Sequence, residues 1–149
     1  MTDEPAAVTA TADRILDRAR VFAVVGASPS PWRPSHGVVR TLLDHGYEVI
    51  PIRPGVEEVL GLRAYPDLAS VPEEVTIDVV DIFRRSDRAG AHVDEAIARG
   101  VKAVWLQLGV IDHAAADRAR AAGLDVVMDR CPAIELRRRG GRAGSVPGH

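Results

Sequence analysis

Gly26 ends an apolar run, Val21-Phe22-Ala23-Val24-Val25, and is followed by the small residues Ala27 and Ser28. That order suits a strand running into a turn that no side chain obstructs. Pro34 fits the first turn of a following helix, where its missing N–H is no loss. A strand, a small-residue turn and a helix N-terminus make free backbone N–H groups converge on one point, which is the geometry of a phosphate site. A plainer reading also satisfies these residues, with Gly26 only closing a tight strand-to-helix turn. Each later apolar run also ends in polar or glycine-bearing residues: Ile52-Arg53-Pro54, Ile82-Phe83-Arg84, Gln107-Leu108-Gly109 and Asp129-Arg130-Cys131. Three of these ends carry arginine, whose planar fork suits phosphate.

The elements that must position these residues follow from periodicity. Thr11 to Arg20 carries Ile15, Leu16 and Ala19 at helical spacing. Val38, Val39, Leu42 and Leu43 form an apolar helical stripe that Gly46 ends. Tyr47–Ile52 is expected as a strand stopped by Pro51 and Pro54. The stretch from Val59 to Pro66 allows at most one short edge strand, and Asp67 to Ser70 a single helical turn. Ile77–Phe83 is the next strand, and Ser86 or Asp87 offers an N-cap for a helix through Ala98. Lys102–Leu108 is a strand, Asp112 caps a helix through Ala122, and Leu124–Met128 is the last strand. Strands alternating with helices in this way predict an α/β fold, a doubly wound parallel sheet of Rossmann-like type in one domain. The expected boundaries are a disordered lead-in over residues 1–9, the domain over residues 10–138 and a disordered basic tail over residues 139–149. Ligands of such sheets bind outside the carboxyl ends of the strands, where strand order reverses. The five strand ends above therefore belong to one crevice.

Composition narrows the function classes. A chain of 149 residues with net charge −2 has no overall attraction for nucleic acid or an anionic membrane. No apolar run approaches the ~20 residues of a membrane span. The N-terminus lacks the basic start and apolar centre of a secretory signal. The single cysteine, Cys131, excludes an internal disulfide framework and suits a reducing compartment, so a cytoplasmic location is expected. The histidines show no H-E-x-x-H or Cys/His spacing for zinc. No metal is expected.

Nucleotide signatures divide the remaining options. Nothing after Gly26 supplies the second glycine or the lysine of a P-loop. The dinucleotide pattern G-x-G-x-x-G is met by Gly26-Ala-Ser-Pro-Ser-Pro, without its second and third glycines. Recognition of NAD expects an acid at the end of the second strand, where this chain has Arg53. An arginine there favours a further phosphate on the ribose, pointing to NADP or coenzyme A.

The chain resembles the small stand-alone CoA-binding proteins, relatives of the CoA-binding domain of succinyl-CoA synthetase. The matching stretches are Val24-Val-Gly-Ala-Ser28 with Arg33-Pro-Ser35, His45-Gly-Tyr-Glu-Val-Ile-Pro51, and Glu58-Val-Leu-Gly61 with Tyr65-Pro66. They continue through Val80-Asp-Ile-Phe-Arg-Arg85, Trp105-Leu-Gln-Leu-Gly109 and Val127-Met-Asp-Arg-Cys131. The resemblance implies coenzyme A or an acyl-CoA held across the strand ends. It puts the diphosphate at the Gly26 turn, Arg53 near the adenosine end, Ile82-Phe83-Arg84 beside adenine, and Gln107 and Gly109 on the pantetheine side. The synthetase's catalytic histidine lies in a domain with no counterpart here, so ligase activity is not carried over.

No reaction centre emerges from the residues. Cys131 either forms a mixed disulfide with the CoA thiol or is a small packing residue. Ser28 lacks the G-x-S-x-G elbow and is better suited to bonding phosphate. His36 and Trp32 lie near the turn, either touching ligand or facing solvent. Asp81 is expected to orient a loop arginine or serve structure, and makes a poor acid/base pair with Asp78. The expected function is therefore a module that binds a small-molecule CoA ligand without chemistry of its own. The alternative is an NADP-binding reductase or a nucleotide-binding subunit of a CoA ligase or transferase. Homodimerisation through an edge strand or the last helix is compatible with the sequence, which offers no patch to name.

Overall fold

The computed structural model describes residues 4–140. Five parallel strands form the central sheet: β1 (Val21–Val25), β2 (Glu48–Ile52), β5 (Val79–Ile82), β6 (Ala103–Leu106) and β7 (Asp125–Met128), in the order β2-β1-β5-β6-β7. Counting only these five, the order is 2-1-3-4-5, a doubly wound sheet whose direction of winding reverses between β1 and β5. Helices α1 (Pro5–Arg18), α2 (Pro34–Asp44) and α5 (Pro132–Arg138) cover one face. Helices α3 (Ser86–Arg99) and α4 (His113–Ala121) cover the other, with the short 3₁₀ turn Leu68–Ser70. Alternation within the strands assigns the faces: Phe22 and Val24 point toward α1, α2 and α5, and Ala23 and Val25 toward α3 and α4.

Several elements depart from the sequence expectation. Helix α1 begins at Pro5 rather than Thr11, so the lead-in expected through residue 9 is shortened. Proline at the first helical position costs no bond, and the Arg130 guanidinium fixes this turn by donating to the Pro5 carbonyl and the Thr9 hydroxyl. Pro51 lies inside β2 instead of ending it. It is tolerated because β2 is an edge strand: the Pro51 carbonyl faces outward and accepts from the Tyr65 amide, so the absent N–H also falls on the outer side. Val59 to Pro66 holds two strands, β3 (Glu58–Val59) and β4 (Leu62–Arg63), joined through Leu60 and Gly61, which both have positive φ. Two left-handed residues in succession make the tight turn whose twist suits a hairpin.

The Ser86 hydroxyl does not cap α3. It accepts from the Ile111 amide at 2.9 Å and lies 3.4 Å from the Gly109 carbonyl, tying the start of α3 to the loop after β6. Asp112 does cap α4, accepting from the Ala115 amide at 2.9 Å, as its position before the helix predicts. The last helix, α5, was not expected. Arg137 and Arg138 lie in it, and Arg138 and Arg139 pair with Asp13 and Asp17 of α1. The remainder of the expected tail, residues 141–149, lies outside the described residues.

Asp81 is fully buried in β5 on the α1/α2/α5 face, paired in register with Val24 and Trp105. Among the described residues neither carboxylate oxygen makes a full hydrogen bond, so of the two roles expected for Asp81 the contact to a loop arginine is absent. Burial holds its carboxyl well above the usual range, and the Ile82 amide only partly offsets this. The folded state then retains a proton that the unfolded chain releases above the ordinary carboxyl pKa. Stability is therefore greatest at acidic pH with respect to this group and declines as pH rises. We expect Asp81→Asn to flatten that slope, so that its melting temperature gains on wild type between pH 4 and pH 8. Parallel melting curves across that range would show instead that the Asp81 carboxyl ionises in the fold as it does in the unfolded chain.

Candidate functional site

The exits of β1 and β5 meet at the point where the sheet reverses. Gly26 has φ +88°, and a Cβ built on it would lie 2.4 Å from the Phe83 carbonyl oxygen. Its amide donates to the Ile52 carbonyl, and its carbonyl accepts from Arg53 Nη1 at 3.2 Å. Three strand exits are thus locked together around one glycine. The following loop is equally organised. The buried Ser28 amide donates to Ser35 Oγ at 3.0 Å, and Ser28 Oγ accepts from the Ser30 amide at 3.0 Å. One acceptor position of the Ser28 hydroxyl therefore shapes the turn, and Ala27 beside it is fully buried. Pro34 takes the first position of α2, as expected.

A cleft of about 670 Å³ opens beside these exits, between α2 and α5. That volume lies within the range of small-molecule sites, about 300–1,000 Å³. Its α2 wall is Pro34, Gly37, Val38 and Thr41, and its α5 wall is Ala133, Ile134 and Arg137. Phe83, Arg84, Arg85, Gln107, Leu108, Val110 and Cys131 contribute from the strand exits and the loops after them. Gln107 is 8 % exposed, and its Oε1 has no hydrogen-bond partner among the described residues. Arg84 is half-buried, Arg137 is exposed, and neither has an ion-pair partner among the described residues. Arg85 differs, being held by Asp87 at 2.7 Å. The result is a mostly apolar cleft with two uncommitted cations and one unmet acceptor.

The sequence-derived site residues separate into groups. Phe83, Arg84, Gln107 and Cys131 line the cleft. Gly26, Ala27, Ser28 and Arg53 build the adjoining loop, with Pro54 in the exposed turn after β2. Arg33 precedes α2 with an exposed guanidinium that has no partner among the described residues. Three residues have other work. Ile82 is buried in the core on the α3/α4 face, where its side chain cannot reach the cleft. Gly109 donates its amide to Asp129 Oδ1 at 2.7 Å and does not line the cleft. Arg130 turns toward α1, bonding Pro5, Thr9 and, at 3.5 Å, Glu135. Its carbonyl accepts from the Trp105 indole at 2.9 Å, which fixes the exit of β7 under α5.

Trp32 is 81 % exposed and lies outside the cleft wall, as does His36. Sequence reasoning missed the whole α5 wall. Pro132 at a helix start with Ala133 and Leu136 spaced i, i+3 was the available signal. Among the described residues no group of three or more His, Cys, Asp or Glu side chains could hold a metal ion. No helix there is long and apolar enough to cross a membrane.

Comparison with known proteins decides the family. The profile described as "CoA binding domain" matches residues 20–137, nearly all of the described chain. The chain belongs to the CoA-binding domain family. Within that family it is 36 % identical over 117 residues to the uncharacterized protein YneT of Bacillus subtilis, covering 78 % of this chain and 85 % of YneT. A solved structure of a hypothetical protein from Pyrococcus horikoshii superposes with a TM-score of 0.82 at 39 % identity, covering 87 % of this chain and 90 % of that one. The dinucleotide forming acetyl-coenzyme A synthetase 1 of Candidatus Korarchaeum cryptofilum contains a similar unit, with TM-score 0.64 and 28 % identity. That match covers 76 % of this chain and 26 % of the synthetase. The Rossmann-like fold expected from the βα alternation is shared by these neighbours.

Proposed function

We propose that the chain binds coenzyme A across the exits of β1 and β5, with the pantetheine arm entering the cleft between α2 and α5. The observation that carries this reading is the cleft itself. In a CoA-binding domain, at the sheet's reversal point, it combines apolar walls with Arg84, Arg137 and the buried acceptor of Gln107, none of which has a partner among the described residues. A buried carbonyl without a donor is costly, and the amide N–H of a pantetheine arm would relieve it. The Gly26 and Ser28 amides are already given to Ile52 and Ser35, so the diphosphate rests against the start of α2 beside that loop, with Arg33 adding positive charge nearby. Arg53, tethered to the Gly26 carbonyl, lies on the adenosine side and reads the ribose phosphate. In this reading the chain holds CoA and performs no bond chemistry of its own. The matched unit is only 26 % of the synthetase, and that enzyme's reaction is not transferred to this chain.

The test contrasts two ligands that differ by one phosphate. Arg53→Glu should weaken CoA by about tenfold or more, the scale of a charge-assisted hydrogen bond. Dephospho-CoA, which lacks the ribose phosphate, should lose much less. Calorimetric titration of both ligands reads the difference directly, and equal losses would remove Arg53 from that role.

A further inference from the structure

The cleft runs along α2 as well as past the strand exits. Its α2 wall, Pro34, Gly37, Val38 and Thr41, follows the i, i+3, i+4, i+7 pattern of a single helix face. Seven residues of helix rise make that wall roughly 10 Å long. Ala133 and Ile134 of α5 face it. Among the described residues four large apolar side chains are exposed, and two of them, Leu108 and Ile134, stand in this groove. Gly37 contributes no side chain, and a Cβ built there meets nothing within 4 Å. A glycine inside an exposed helix turn weakens that helix. Here its effect is to widen the groove.

Resting on the proposed CoA site, we infer that this groove seats the acyl chain of a CoA thioester, and that the acyl group is apolar. Gln107 marks where the pantetheine arm enters, with its unmet acceptor turned to an amide N–H. Beyond it the thioester and its acyl chain run between α2 and α5, covering Val38, Leu108 and Ile134. The ligand class is therefore acyl-CoA with a short aliphatic tail, in preference to free CoA. Burial of methylene groups supplies the preference, since each one removed from water adds to affinity.

The experiment titrates wild type and Gly37→Leu with CoA, acetyl-CoA, butyryl-CoA, hexanoyl-CoA and succinyl-CoA. Gly37→Leu fills the groove with a side chain in a helical backbone that accepts it, so the variant is expected to fold; its melting temperature without ligand checks this. In wild type the affinity should rise from acetyl- to hexanoyl-CoA by at least about tenfold, the worth of burying roughly two of the four added methylenes. Gly37→Leu should abolish that rise, read as the ratio of acyl-CoA to CoA affinity within the variant. A flat acyl series in wild type, or an undiminished rise in Gly37→Leu, overturns the inference while CoA binding itself still stands. Tighter binding of succinyl-CoA than of butyryl-CoA also overturns it, because the groove would then prefer a charged tail. If CoA itself does not bind, the parent reading fails and this one falls with it.

Discussion

Gly26→Val is expected to lower stability by about 3 kcal/mol or more, which for a chain of this size takes the melting temperature down by roughly 10 °C. Two costs add. The backbone at φ +88° is a conformation that a β-branched residue resists. The new Cβ would also stand 2.4 Å from the Phe83 carbonyl oxygen, an atom of the main chain that cannot swing aside. From sequence the same substitution looks like a block to diphosphate binding in an otherwise intact fold. The structure adds a constraint of its own: Gly26 is the point where the β1 exit passes the β5 exit, and a side chain there would push the two apart. Thermal melting of the unliganded variant is the check. An unchanged melting temperature would mean that these loops do not touch.

Arg84→Glu should reduce CoA affinity by about 30- to 100-fold with little change in melting temperature. The guanidinium is half-buried in the cleft and has no acidic partner among the described residues, so removing it breaks no internal bond. Charge-assisted hydrogen bonds to phosphate are worth about 1.5–3 kcal/mol, and reversal of the charge adds repulsion to that loss. Arg85→Glu is the contrast. Arg85 is exposed and already committed to Asp87, so its replacement should cost CoA far less. Equal, small effects at both positions would show that Arg84 does not touch the ligand. Binding by the wild type should also weaken with added salt, because exposed cations such as Arg33 and Arg137 are screened.

The sheet was legible because a parallel, doubly covered strand leaves a continuous apolar run, as in Val21–Val25, and because glycine ends each βα unit where the chain must turn. The Gly26 turn and the cleft positions of Phe83, Arg84 and Gln107 follow from those ends. What the sequence hid depends on tertiary partners. Arg53, Arg84 and Arg130 all follow strands, yet Arg53 is tied to the Gly26 carbonyl and Arg130 to the first turn of α1 by Pro5 and Thr9, and of the three Arg84 alone stands in the cleft without a partner among the described residues. Helix α5 was obscured by its length of seven residues and by arginines that resemble a solvated tail until Asp13 and Asp17 of α1 pair with them. The hairpin β3–β4 has two-residue strands, below the length at which alternation can be seen. Ser86 has the residue type of a helix cap, but the nearby Ile111 amide gives its oxygen a different partner.

On the proposed reading, the exits of β1 and β5 bind coenzyme A together with the α2–α5 cleft. Calorimetric titration of the wild-type chain with CoA, set beside NADPH under the same conditions, tests it most directly. The account predicts saturable one-to-one binding of CoA and no comparable heat from NADPH. A CoA titration without saturable heat, or tighter binding of NADPH, would contradict it.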